Sequence, residues 1–368
     1  MRTFFWAILT FLCSPVLLLA ARFRRPYQPK RIVIIQLGKL GDLLCTTPMF
    51  RAIKAAHPEW EVHVVCRKQS SEVLKGNSDV TAVYAIDDLS RFNLIKVICA
   101  LRASVIVNCM PGAFSSILGL WSLVALRVNT FSLSHGVLVR ILTLFNHYNL
   151  QYRIRTWTHG HYMKLLSCLN IPPASPVPVF AINDEVQTRI DQWIARRGLP
   201  PGGFVTFNLT AGNSVKEWPE EKFAELARYV TQTLKMPVVF STRDTEIVKH
   251  ARSLAGQTAQ VVDASGFTLE ESAALYRRSA AFVSVDTGPL YVAYAVGTPL
   301  VIIQGPIHPE EQIPREDEKI VHVRPPEGCE PWVFVSLTPR EGTREQLGCA
   351  RDTSVESVVE GLVKVLGG

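Results

Sequence analysis

Asp42 is the carboxylate whose position most invites chemistry. It ends the stretch Arg31-Ile-Val-Ile-Ile-Gln-Leu-Gly-Lys-Leu-Gly-Asp42, in which an apolar, β-branched run gives way to two glycines, Gly38 and Gly41. The run at 32–36 predicts a strand buried on both faces of a parallel sheet, and the spacing of Leu43, Leu44, Met49, Phe50 and Ile53 predicts a helix over 43–56. The turn between them holds Asp42 at the carboxyl edge of the sheet, where open α/β sheets bind ligands. A purely structural role is also open, in which Asp42 caps the helix by accepting from its free N–H groups.

Two further stretches carry residues of the right type. A strand over 281–285 runs into Asp286-Thr287-Gly288, with Pro289 at the first helical position and Gly297 just past the helix end. The short helix presents free N–H groups and partial positive charge, which suits a diphosphate; as plain structure, Asp286 and Thr287 are caps. In Thr210-Ala-Gly-Asn-Ser-Val-Lys-Glu-Trp-Pro219, Gly212 allows close backbone approach and Lys216 supplies a mobile point charge for a phosphate leaving group. Its alternative is an ordinary loop lysine ahead of a helix with Pro219 in its first turn. His159-Gly-His161 lacks a third ligand and reads as incidental, and no Asp-x-Asp offers itself to a divalent ion, so metal-free chemistry is expected.

These residues need a scaffold that brings strand ends to one edge. Strands at 32–36, 61–66, 80–85 and 104–109 alternate with helices at 43–56, 69–75 and 91–101, the pattern of a doubly wound parallel sheet. Ile117 to Val128 and Val137 to Phe145 are apolar and helical in length, and at that length buried helices are expected rather than a lipid-facing surface. The proline-rich Ile171-Pro-Pro-Ala-Ser-Pro-Val-Pro178 reads as a stiff connector. The alternation then resumes with helices at 184–197, 220–234, 244–254 and 269–278 between strands at 204–208, 238–241, 260–263 and 281–285, and a last helix at 355–366. Two such halves predict a ligand cleft between them.

Charge is unevenly placed. Residues 1–31 hold six Lys/Arg and no acid, residues 32–180 fourteen and seven, residues 181–368 nineteen and twenty-five. A basic first half beside an apolar N-terminal stretch points to an anionic lipid surface or acceptor. Nucleic acid is not expected, since no dense basic cluster is interleaved with aromatics. Thr3 to Ala21 is nineteen uncharged residues, enough to span or lie in a membrane, and the arginines after it keep the bulk of the chain cytoplasmic by the positive-inside rule. Eight cysteines without a Cys-x-x-Cys read as mostly reduced core residues in a reducing compartment; spacing leaves open whether Cys329 and Cys349 meet.

Together, Gln36-Leu-Gly-Lys-Leu-Gly-Asp42 with Thr47-Pro48, Lys216-x-Trp218-Pro219, Asp286-Thr287-Gly288, Ala295-x-Gly297-x-Pro299 and Gly305-Pro306 resemble glycosyltransferase family 9, the lipopolysaccharide heptosyltransferases. The likeness covers roughly residues 31–365. It implies an α/β GT-B fold of two Rossmann-like domains facing across a cleft, behind an N-terminal hydrophobic helix. The expected division is a membrane-anchor segment 1–25, an acceptor-binding domain 31–180, a nucleotide-sugar-binding domain 181–349, and a C-terminal helix in 350–368 that packs back on the first domain. It also implies an inverting, metal-independent transfer without a cofactor, the nucleotide sugar being a co-substrate. The implied reaction moves heptose from ADP-heptose to a lipid-linked anionic glycan such as the lipopolysaccharide core, at the cytoplasmic face of the inner membrane.

Carried over by position, Asp42 resembles the general base, with Gly38, Lys39, Gly41 and Thr46 as the acceptor-side loop. Lys216 resembles the lysine on the donor phosphates, and is counted with Asp42 as catalytic. Gly212, Asp286, Thr287 and Gly288 resemble the donor-binding turns, and Glu246 is the candidate for the donor ribose. Tyr291 stands where the family usually has histidine, and the loop after Phe240 reads Ser-Thr-Arg-Asp-Thr where the family usually has a glycine. Two other classes compete. One is a catalytically silent relative binding nucleotide or glycan at a membrane. The other is a nucleotide-sugar epimerase or dehydrogenase, disfavoured because no Gly-x-Gly-x-x-Gly follows the first strand.

Overall fold

The computed structural model describes residues 2–26, 28, 30–133, 136–329, 331 and 348–367. The chain divides into two compact units, Met1–Pro178 and Val179–Gly368. In the first, β1 (Arg31–Gln36), β2 (Glu61–Cys66), β3 (Ala82–Ala85), β4 (Val105–Asn108), β5 (Leu126–Phe131) and β6 (Tyr148–Gln151) form one parallel sheet in the order β3-β2-β1-β4-β5-β6. In the second, β7 (Val205–Phe207), β8 (Val238–Phe240), β9 (Val261–Asp263), β10 (Ala281–Val285), β11 (Leu300–Ile303) and β12 (Ile320–Val323) lie in the order β12-β11-β10-β7-β8-β9. Counted within its own unit, each sheet has the doubly wound order 3-2-1-4-5-6.

The central strands are continuous apolar runs because helices cover both faces. Ile32, Val33 and Ile34 are fully buried, as are Phe282, Val283, Leu300, Val301, Ile302 and Ile303. The winding reverses between β1 and β4 in one sheet and between β7 and β10 in the other, which leaves a crevice beyond the strand ends at each place.

The apolar stretch 117–128 is not one helix. The helix Ala113–Trp121 ends there, Leu123 takes a left-handed φ of 55°, and β5 begins at Leu126. Inside β5 the buried Arg127 donates to Phe145 O and Val124 O, both at 2.7 Å, and burial pushes its guanidinium down to about 10. An apolar run of this length fits a strand or a buried helix equally, so periodicity could not place the break. Val137 to Phe145 is helical, but Val137, Ile141 and Leu144 face solvent, contrary to the expectation of a buried helix. Strand β6 and the helix Thr158–Leu165 had no sequence counterpart, since polar residues interrupt both.

The closing helix, Val355–Val365, lays its apolar face on the second unit's own sheet. Val358 and Leu362 are fully buried in one cluster with Val301, Ile303 and Val323. Gly361 lets it approach closely, for a Cβ there would stand 3.0 Å from Val323 Cγ2. Six cysteines are free thiols, while Cys329 and Cys349 are joined, their Cα atoms 5.5 Å apart. The pairing answers what spacing left open, and it ties the short helix Gly348–Asp352 to the segment that follows β12.

Leu362→Ala is expected to lower stability by about 2–5 kcal/mol, the usual cost of truncating a fully buried leucine. Thermal unfolding followed by tryptophan fluorescence checks it; a variant that melts with the parent would show that this helix is not part of the second core.

Candidate active site

On the first unit, β1 ends at Gln36, whose side chain builds the turn. Its Oε1 accepts from Gly38 N–H at 3.0 Å, and its Nε2 donates to Tyr162 Oη at 3.0 Å. Lys39 N–H donates to Asp42 Oδ2 at 2.7 Å, so the capping role foreseen for Asp42 is realised, although the helix begins at Leu40 rather than Leu43. Gly38 is required by this arrangement: a Cβ there would lie 2.5 Å from both Asp42 Cβ and Asp42 Oδ2. Asp42 is thus half-buried at the first winding reversal, held by a loop whose own polar groups are engaged. Gly41 is buried in the helix's first turn, Lys39 is exposed, and the buried Thr46 donates to Leu43 O at 2.6 Å within its own helix.

Tyr162 went unread in the sequence. It is buried against this loop, and burial together with the nearby Asp42 charge holds its phenol well above the usual range, so it keeps its proton. Beside it, the buried pair Cys45 Sγ and His159 Nε2 stand 3.3 Å apart, and His159 Nδ1 lies 3.1 Å from Pro176 O. His161 Nε2 lies 3.1 Å from Thr130 Oγ1. Among the described residues, no group of three or more His, Cys, Asp and Glu is placed to hold a metal ion, and the His-Gly-His pair is occupied in packing.

On the second unit, the loops after β7 and β10 flank the second reversal. Lys216 Nζ meets Asp286 Oδ2 at 2.6 Å, and Tyr291 Oη donates to Asp286 Oδ1 at 2.7 Å. Both carboxylate oxygens of a nearly buried aspartate are thereby engaged. The helix Gly288–Ala295 starts beside them with no side-chain cap on its N–H groups, and Pro289 takes its second position rather than its first. Its other end is a Schellman cap: Gly297 N–H donates to Tyr294 O and Thr298 N–H to Ala293 O, both 3.1 Å, with Gly297 at φ 79°.

The Lys216 loop is braced from two sides. Asn208 Nδ2 donates to Thr210 O at 2.6 Å, Trp218 is buried with its Nε1 donating to Thr353 O at 3.0 Å, and Gly305 packs against the Lys216 backbone. Gly212 is exposed on this loop. Thr210 and Thr242, whose hydroxyls lie 2.7 Å apart, line the same strand ends and were not singled out in the sequence. Glu246 is exposed in the first turn of the helix Thr245–Ala255 and pairs with Lys249 at 2.7 Å, so it is not bonded into the Lys216–Asp286–Tyr291 group. A cavity of about 390 Å³ lies beside the loop, but Glu217, Glu220 and Glu221 in its wall make it a poor anion site.

Two doubly wound units, the second with a lysine and an open helix N-terminus at its switch point, have the architecture of the GT-B fold. The profile of glycosyltransferase family 9 (heptosyltransferase) matches residues 139–334, and the chain belongs to that family. Lipopolysaccharide heptosyltransferase 3 of Escherichia coli is 24% identical over 290 residues, covering 72% of this chain and 80% of that protein. Among solved structures, a family 9 glycosyltransferase from Veillonella parvula superposes with TM-score 0.73 at 22% identity, covering 93% of this chain and 99% of that one. The E. coli ADP-heptose lps heptosyltransferase II superposes with TM-score 0.69 at 18% identity, covering 91% and 98%.

Two outcomes follow from these contacts. Gly38→Ala must displace Asp42, so glycosyl transfer should fall at least tenfold, on the order of 1.4 kcal/mol of barrier, while nucleotide binding measured by calorimetry stays unchanged. His161, held neutral by burial and pushed down to about 4 in the folded chain, costs stability on acidification. The unfolded chain takes up the proton first, so its contribution is full above about pH 6.5 and declines down to about pH 4, by on the order of 3 kcal/mol. His161→Gln should flatten urea-unfolding stability across that window.

Proposed function

We propose that the protein transfers heptose from ADP-heptose, with inversion and without a metal, to a lipid-linked anionic glycan of the lipopolysaccharide-core type, at the cytoplasmic face of the inner membrane. The observation that carries this reading is the Lys216–Asp286–Tyr291 group at an uncapped helix N-terminus, a built anion site beside a parallel-sheet switch point. The printed descriptions of two relatives, lipopolysaccharide heptosyltransferase 3 and ADP-heptose lps heptosyltransferase II, support the donor and acceptor class.

Asp42 takes the proton from the acceptor hydroxyl as its oxygen bonds to the anomeric carbon, and the bond from that carbon to the diphosphate breaks on the opposite face. ADP leaves with the electron pair. Lys216, exchanging Asp286 for the departing phosphate, and the backbone N–H groups at Thr287 and Gly288 take up its charge. Tyr291 holds Asp286 in place while the lysine moves. Gly212 lets the loop backbone near the phosphates, and Glu246 is retained for the ribose. Tyr291 in the usual place of histidine favours one other reading, a silent relative that binds nucleotide without turnover.

One experiment separates these. With a panel of ADP-, UDP- and GDP-sugars, saturation-transfer NMR should select ADP-heptose, and transfer to a deacylated core acceptor should be detectable. Asp42→Asn should then lower kcat by about 10²–10⁴ with donor binding intact. Binding with no turnover in the parent establishes the silent reading, and an Asn variant with full activity removes Asp42 as the base.

A further inference from the structure

The N-terminal helix, Arg2–Phe23, is apolar on every side, yet its sides are not equivalent. Positions 6, 10, 13, 17 and 20, together with 7, 14 and 21, are buried or half-buried, a stripe at helical spacing along the helix. Along the stripe the helix lies on the first unit. Ala7 joins a core cluster with Ile117, Leu120, Leu142 and Phe145, and Trp6 packs edge-on against Phe114 and Trp121 at 5.8 and 5.3 Å. Trp121 Nε1 donates to Thr10 Oγ1 at 2.9 Å. At the far end Arg24 donates to Cys99 Sγ at 2.8 Å, and Arg102 donates to Arg25 O at 2.8 Å. A helix fastened along one protein face at both ends is not free to stand across a bilayer.

Its other face is large, apolar and uncovered. Phe4, Ile8, Leu12, Val16, Leu19 and Phe23 are exposed, Leu12 by 74%. Phe11 reaches Phe145 with ring centroids 5.2 Å apart, which joins this face to the exposed Val137, Ile141 and Leu144 of the neighbouring helical stretch. A contiguous apolar surface of this kind needs a partner. Two observations say which. Pro15 deprives Phe11 O of its helical donor, and Ser14 Oγ fills the gap at 2.9 Å, a repair that matters where water is absent. The surrounding chain is also free of negative charge: residues 1–31 and 89–183 contain no Asp or Glu but six and eight Lys/Arg, with Arg22, Arg25 and Arg140 exposed beside the apolar face.

We propose that this helix and the stretch 137–145 form a monotopic platform that embeds in the plane of one leaflet with anionic headgroups, the helix lying flat instead of crossing. The docked stripe belongs to the protein, the outer face to acyl chains, and the arginines to the headgroups. This deepens the membrane-facing part of the proposed function, but it is read by lipid binding and not by sugar transfer, so the two fail separately.

The test uses the full chain and flotation with vesicles of phosphatidylcholine alone or with phosphatidylglycerol. Binding should require the anionic lipid and weaken about fivefold for each of Arg22→Gln, Arg25→Gln and Arg140→Gln. Ile8→Glu and, on the other helix, Leu144→Glu should each lower it at least tenfold with the thermal melt of the unbound protein unchanged. In native membranes a bilayer-impermeant maleimide added to the cytoplasmic side should label both Arg2→Cys and Arg25→Cys, polar positions at the two ends of the helix, above the labelling of the parent. Protection of one end would show a spanning anchor and overturn the proposal. So would outer-face variants that convert a dimer to a monomer without loss of lipid binding, which would assign the face to a second copy of this chain.

Discussion

Parallel strands whose winding reverses midway leave one crevice per sheet, and the three charged groups of the candidate site stand beside such a crevice. Asp42 follows β1, Lys216 follows β7 and Asp286 follows β10. Helices on both faces make the central strands mostly apolar, and the candidate chemistry sits on the loops and helix starts at their carboxyl ends. Glycine sets how tightly each loop can close: Gly38 admits the Asp42 side chain, Gly305 admits the Lys216 backbone, and Gly361 lets the last helix approach the second sheet.

The ion pair at the second crevice shows how a nearly buried charge is kept in order by its neighbours. A carboxylate with both oxygens engaged, one by Lys216 and one by Tyr291, is stable although nearly buried, whereas removing either partner alone would leave a costly desolvated charge. Tyr291 donates to Asp286 and contributes no charge at neutral pH, so the group's balance rests on Lys216 and the backbone dipoles.

The N-terminal helix makes the complementary point about apolar surface. Composition alone describes a segment able to span a membrane, and the arginines that follow it suit that reading. Packing divides the segment lengthwise, with Trp6 and Thr10 turned to protein and Ile8 and Leu12 turned away. A low contrast in hydrophobicity between two faces does not mean that the faces meet the same surroundings.

The strand–helix alternation, the tandem of two α/β halves and the loops that carry Asp42, Lys216 and Asp286 could all be read from the chain. Each depends on local regularities: period-two and period-3.6 apolar patterns, glycine where backbones close up, and proline at helix starts. Long-range side-chain contacts could not. Tyr162 is 126 residues from Gln36 and bonds to it, Tyr291 is joined to Lys216 through Asp286, and the Ile117–Val128 run is cut by a turn and by a buried arginine that carbonyls satisfy. The sheet that the last helix covers and the docked face of the first helix were likewise decided by packing. Local pattern specifies which residues are apolar and how they repeat, whereas the surface they cover depends on partners that only the folded chain brings within reach.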